Sequence, residues 1–280
     1  MAGRLTADIS LEQLGGRTLR VARWRMDRAS AHPPLLFFNG IGANIEAVAP
    51  LAEALTERPF IMFDMPGTGG SPDPVVPYNA VTMSLCANEL LIRDDIAQVD
   101  VMGVSWGGAM AQHFALQHRG KVRRLVLAAT TPGMLMVPGK LSALSKMADP
   151  RRYVDAAFME RHFKTLYGGA VDGADELGAG HIGRITPPSK RGYLYQLLAM
   201  IGWTSLPALP FLRQETLIMM GGDDAIVPVI NGRLLKALIP HARLEVFEGG
   251  GHLFMLSHRE QTLSSLRAFL DEPETARKAA

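Results

Sequence analysis

A single cysteine, Cys86, in 280 residues leaves no partner for an internal disulfide. The disulfide-stapled secreted scaffolds are excluded, and a reducing compartment fits. Charge is scarce too. Charged residues make up 20% and the net charge is +2 with no basic run, so nothing invites nucleic acid. With 48% apolar residues, so little charge also excludes a disordered chain. No stretch reaches the roughly 18 uncharged apolar residues of a membrane helix. Charges interrupt "MAGRLTADISLEQL", so no signal peptide is expected. The histidines form no H-E-x-x-H pattern and there is no cysteine cluster, so no metal site is expected. The expectation is a soluble cytoplasmic protein with apolar residues enough for a sizeable core.

The length suits one α/β domain carrying an insertion, or two domains. Short apolar runs alternate with longer amphipathic ones, the pattern of parallel strands joined by helices. "LLFF" (35–38), "PFIMF" (59–63), "VDVMGV" (99–104) and "RRLVLAAT" (123–130) predict buried strands. "IEAVAPLAEAL", the stretch 81–91 and "AMAQHFALQH" predict the helices between them. The rhythm breaks after Thr131 and resumes at "ETLIMMG" (215–221) and "ARLEVFEG" (242–249). The simplest organisation is a mostly parallel sheet domain over 1–130 and 211–280, interrupted by a helical insertion over 131–210. Such an insertion would sit at the C-terminal ends of the strands, where open parallel sheets bind ligands.

"GVSWGGAM" (103–110) falls between a strand and a helix. G-x-S-x-G arises by chance in small-residue turns, but in this strand–turn–helix setting it is the nucleophile elbow of α/β hydrolases. Gly103 and Gly107 leave room at a sharp turn, and the helix start places free N–H groups beside Ser105. A phosphate loop would need a lysine and Ser/Thr after the glycines, and neither follows.

A serine nucleophile needs a base, and the base an orienting acid, in the chain order Ser, Asp or Glu, His. "GGGHLFM" puts His252 in a glycine-rich loop after the last strand; the alternative is a surface loop histidine. "GGDDAIVP" brings Asp223 or Asp224 to a strand end, and adjacent side chains diverge, so only one can face the histidine. The form G-x-x-D-x-x-x-P (Gly221, Asp224, Pro228) resembles this loop in α/β hydrolases and selects Asp224. An oxyanion hole takes one N–H from the residue after the nucleophile, Trp106, and one from the loop after an earlier strand. "FFNGIGAN" supplies the second from Ile41, with Asn39 a candidate brace or substrate contact. "FDMPGTGGS" (63–71) resembles the D-x-P-G-x-G-x-S turn of the same superfamily, with Asp64 structural.

Beyond these motifs, "FFNGIGAN", "GVSWGGAMAQ", "TTPGMLMVPGK", "PRRYV", "YGGA", "YQLLAMIGWTS" and "INGRLL" together resemble the intracellular depolymerases of medium-chain-length poly(3-hydroxyalkanoates), which are storage polyesters. The resemblance runs through the insertion as well as the sheet domain. It implies an α/β-hydrolase fold with a helical lid, a Ser105–Asp224–His252 triad, no cofactor, and work on polyester at granules inside the cell. Met134 and Met136 in "GMLMVPG" would then meet the alkyl side chains of substrate, unless they pack the cap's own interior. The alternatives are a carboxylesterase or enol-lactone hydrolase acting on a small soluble ester, and a non-catalytic granule-binding relative.

Overall fold

In the computed structural model, residues 7–27, 30–147, 149, 151, 156–167, 169 and 180–273 are described. Most of "PRRYV" and of "YGGAVDGADELGAG", and the tail after Pro273, lie outside them.

Two adjacent glycines open the fold. Gly15 and Gly16 both adopt positive φ, +56° and +72°, the conformation that a tight two-residue hairpin demands. They join β1 (Asp8–Leu14) to β2 (Arg17–Trp24) as an antiparallel pair. The chain then enters β3 (Leu35–Phe38), α1 (Ile45–Ala54), β4 (Phe60–Phe63), α2 (Ala80–Arg93), β5 (Val99–Val104), α3 (Trp106–Gln117) and β6 (Val122–Ala128). After β6 come α4 (Leu141–Met147), α5 (Ala156–Tyr167) and α6 (Lys190–Leu198). The sheet resumes with β7 (Glu215–Gly221), α7 (Val229–Leu238), β8 (Ala242–Phe247), α8 (Phe254–Ser257) and α9 (Arg259–Leu270).

The eight strands lie in the order β1-β2-β4-β3-β5-β6-β7-β8. The pairings β1–β2 and β2–β4 are antiparallel, and every later pairing is parallel. Alternation along the strands explains why the central ones are apolar throughout. Leu36, Phe38, Val101, Leu125 and Leu127 face Met83, Leu90, Met110 and Phe114 of α2 and α3. Their neighbours Leu35, Phe37, Met102 and Val126 face Ile45, Val48, Leu263, Leu266 and Phe269 of α1 and α9. A parallel sheet covered on both faces requires this double burial.

The chain leaves β3 toward β4 on one side and β5 toward β6 on the other, so the connections diverge between β3 and β5. That is the topological switch point, where a crevice opens beyond the carboxyl ends. The segment joining β6 to β7 bonds to the loops at that end. Ser189 N–H donates to Gly67 O at 2.9 Å, Lys140 N–H to Ala225 O at 2.8 Å, and His252 N–H to Tyr167 O at 2.6 Å.

Candidate active site

Ser105 is the first residue beyond β5. Its backbone has φ +55° and ψ −119°, a region costly for any residue with a Cβ and persistent only when its surroundings hold it. Three bonds do the holding: Ser105 N–H donates to Ala128 O at 2.9 Å, and Ser105 O accepts from Thr130 Oγ1 at 2.7 Å and from Gly108 N–H at 2.9 Å. The flanking glycines are needed for closeness of approach. A Cβ on Gly103 would lie 2.2 Å from Gly107 O, and one on Gly107 only 2.1 Å from Phe38 O. Any side chain at either position would push β5, α3 and β3 apart.

His252 follows β8 in a loop packed on the loop after β7; a Cβ on Gly221 would meet Gly251 O at 2.2 Å. Both His252 and Asp224 are buried. His252 Nε2 lies 3.0 Å from Ser105 Oγ, and His252 Nδ1 lies 2.7 Å from Asp224 Oδ2. The other carboxylate oxygen, Asp224 Oδ1, accepts from Ile226 N–H and Val227 N–H, both at 2.8 Å. Those two amides fix the carboxylate's direction. Asp223 turns away and is exposed, its N–H bonded to Gly250 O at 2.8 Å. An acceptor at Nδ1 places the ring proton there as donor to Asp224, which leaves the Nε2 lone pair facing the serine hydroxyl.

The loop after β3 runs beside the serine, for a Cβ on Gly40 would sit 3.8 Å from Ser105 Cβ. Asn39 is buried and bonds within this loop: Gly40 N–H donates to its Oδ1 at 2.9 Å, and its Nδ2 donates to Asn44 O at 2.9 Å. Those bonds make Asn39 a brace of the loop. Ala43 N–H donates to Gly40 O at 3.2 Å, and Gly42 N–H to Gln196 Oε1 at 3.0 Å. The Ile41 amide between them bonds no described residue. On the other side, Trp106 is the first residue of α3, whose N–H has no acceptor within the helix. The Trp106 amide thus directly follows Ser105 in the chain, and the Ile41 amide lies in the loop that runs beside it.

Asp64 anchors the turn after β4 and the start of α1. Its carboxylate accepts from Ile45 N–H at 2.8 Å, Gly70 N–H at 3.0 Å and Arg20 Nη1 at 3.2 Å. Burial pushes this carboxyl up to about 6, against the pull of those amides and of Arg20.

Met134 is 61% exposed and its neighbour Leu135 is 59% exposed, whereas Met136 is half-buried. The loop is tied to the end of the same segment: Met134 N–H donates to Trp203 O at 3.0 Å, and Met134 Sδ accepts from Gly202 N–H at 2.7 Å. Trp203 Nε1 donates to His113 Nδ1 of α3 at 3.2 Å, and burial holds that imidazole below its ordinary 6.5.

Two residues at the site escape sequence reasoning. Gln196, fully buried on α6, receives Gly42 N–H on its side chain and Trp106 Nε1 on its backbone carbonyl, each at 3.0 Å. Tyr167, at the end of α5, holds the His252 backbone. Both lie in stretches that carry the family resemblance, "YGGA" and "YQLLAMIGWTS", but no local pattern gives either a role at the site, and tertiary contact reveals it. Among the described residues, no group of His, Cys, Asp and Glu could hold a metal ion, and no helix is long and apolar enough to cross a membrane.

With carboxylate, imidazole and hydroxyl in hydrogen-bond sequence, the site can perform acyl transfer. The model of the alpha/beta hydrolase family matches residues 35–264. A poly(3-hydroxyalkanoate) depolymerase from Ectopseudomonas oleovorans is 44% identical over 240 residues, 85% of this chain and 84% of that protein. A 2-hydroxymuconate semialdehyde hydrolase from Pseudomonas sp. (strain CF600) is 28% identical, over 91% of this chain and 92% of its own. Among solved structures, an esterase from Exiguobacterium antarcticum superposes with a TM-score of 0.80 at 23% identity, over 95% of this chain and 99% of that one.

Proposed function

The chain belongs to the alpha/beta hydrolase family, and from that premise we propose that it is a carboxylic ester hydrolase cleaving medium-chain-length poly(3-hydroxyalkanoate). The observation that carries the chemistry is the relay from Asp224 Oδ2 through His252 to Ser105 Oγ, at 2.7 and 3.0 Å. The 44% identity to a poly(3-hydroxyalkanoate) depolymerase across both sheet domain and insertion supports the substrate.

Ser105 Oγ attacks the ester carbonyl carbon while His252 Nε2 takes its proton, and Asp224 holds the imidazole and balances its charge. The developing oxyanion is met by the amides of Ile41 and Trp106. His252 then gives its proton to the leaving alkoxide, which departs as the shortened polymer's hydroxyl end. Water, deprotonated by His252, attacks the acyl-serine; the new acid is a 3-hydroxyalkanoic acid or short oligomer, and Ser105 regains its proton. Every group in this scheme is a protein group or water, so it needs no cofactor.

Residues 131–210 act as a helical cap over this site. The exposed Met134 and Leu135 and the half-buried Met136 face the alkyl chains of an incoming polyester. The depolymerase reading places the enzyme in the cytoplasm, at the storage-granule surface. Incubation with granules of short and of medium side-chain length, and with a soluble short-chain ester, tests the assignment. Preferential release of acid from the medium-chain polymer is expected. Turnover of the soluble ester alone would make the protein a small-ester or enol-lactone hydrolase, and turnover of none would make it a non-catalytic relative.

A further inference from the structure

Gln196 bonds to the chain neighbour of one proposed oxyanion donor, Ile41, and to the side chain of the other, Trp106, although it lies on α6. Its side-chain oxygen accepts from Gly42 N–H at 3.0 Å, and its backbone oxygen accepts from the Trp106 indole at 3.0 Å. Because Gly42 N–H can only donate, the atom facing it must be Oε1, which fixes the orientation of the whole amide. Its other end, Nε2, is then buried without a hydrogen-bond partner among the described residues.

A buried amide donor left unpaired is costly, and such groups in native proteins call for a reason. Here the reason is placement. Nε2 is bonded to the same carbon as Oε1, hence lies near the peptide that joins Ile41 to Gly42, one residue on from the Ile41 N–H. If Gly42 N–H lost its acceptor, the loop would be free to turn and the Ile41 amide would leave the position at which an oxyanion forms. Without the backbone carbonyl of Gln196, the Trp106 side chain would likewise lose its anchor. The cap and the hole are thereby one unit.

We propose that Gln196 is a positioning residue that makes the oxyanion hole depend on a seated cap, its spare Nε2–H being completed by an oxygen of the bound acyl chain. The proposal rests on the serine mechanism but not on the polymer, so it can be tested on a soluble ester. A 3-hydroxyacyl or 3-acyloxyacyl ester carries the second oxygen that Nε2 would take, and a plain acyl ester does not.

The test is Gln196→Met, which keeps length and volume while removing both acceptor and donor. Outright removal of an oxyanion-hole donor costs about 10²- to 10³-fold in kcat. Misalignment through Gly42 should cost less, about tenfold in kcat on a short plain acyl ester, with KM and the pH profile of kcat/KM unchanged. A trifluoromethyl ketone, which forms the oxyanion reversibly on the serine, should lose affinity by the same factor. On the matching 3-hydroxyacyl ester the loss should be several-fold greater. A lowered melting temperature with kcat and ketone affinity intact would overturn the proposal, leaving Gln196 a packing residue. Equal losses on the two esters would overturn the role given to Nε2. The wild-type rate on the plain ester is the separate check on the serine mechanism itself.

Discussion

The backbone N–H of His252 donates to the carbonyl oxygen of Tyr167 at 2.6 Å, so the loop carrying the proposed general base is held by the end of α5. Two residues on, Gly169 forms an antiparallel bridge with Gly250 on the same loop. Gly169 has a φ of +91°, and a Cβ there would lie 2.8 Å from Gly251 N. Gly169→Ala therefore strains the backbone and displaces the histidine loop. Misplacement by about 1 Å can cost on the order of 100-fold in rate, so kcat on a soluble ester should fall at least about tenfold. An unchanged kcat would show that the bridge does not position His252.

Asp224→Asn should damage catalysis far more than Asp223→Asn. Only Asp224 reaches His252 Nδ1, whereas Asp223 faces solvent. Loss of the correct tautomer costs roughly four orders of magnitude in the well-studied serine protease triad. Kinetics of the two purified variants decide it; the reverse ranking would assign the acid to Asp223.

Replacing Met134 and Met136 with serine should lower activity on medium-chain polyester while sparing a short activated ester. Each methylene that loses apolar cover forfeits about 0.8 kcal/mol, so three or four shift relative rates by about two orders of magnitude. Both rates and the melting temperature are measured on one preparation. Equal losses on both substrates with a lowered melting temperature would place these methionines in the cap's packing.

The bond between Trp203 and His113 carries a pH dependence. Burial lowers the His113 pKa, so the folded state favours the neutral ring that accepts from Trp203 Nε1. The stability this contributes is complete above about 6.5, the unfolded value, and is lost as pH falls through the lower folded value. His113→Gln keeps an acceptor but cannot be protonated. Melting temperatures between pH 8 and pH 5 should therefore fall more steeply for the wild type than for the variant. Parallel curves would show that His113 contributes no pH-dependent stability.

The parallel strands are legible in the sequence because burial on both faces leaves mainly apolar runs; "LLFF", "VDVMGV" and "ETLIMMG" coincide with β3, β5 and β7. The antiparallel hairpin is not found that way. "DISLEQL" is largely exposed and has no apolar run, and its signal is the Gly15–Gly16 pair at positive φ. Ser105, Asp224 and His252 stand out because each lies in a glycine-marked turn at a strand end, and local sequence records such turns. Gln196 leaves no such mark. Its partner Gly42 is 154 positions away, and only the packing of the inserted segment on the sheet brings them together.

In the proposed mechanism, Ser105 opens polyester by nucleophilic attack. The most direct measurement is release of 3-hydroxyalkanoic acid from purified medium-chain polyester by the wild type and by Ser105→Ala. Steady release by the wild type is expected, with a loss of about a thousandfold or more in the variant at an unchanged melting temperature. Comparable release by both proteins would contradict it.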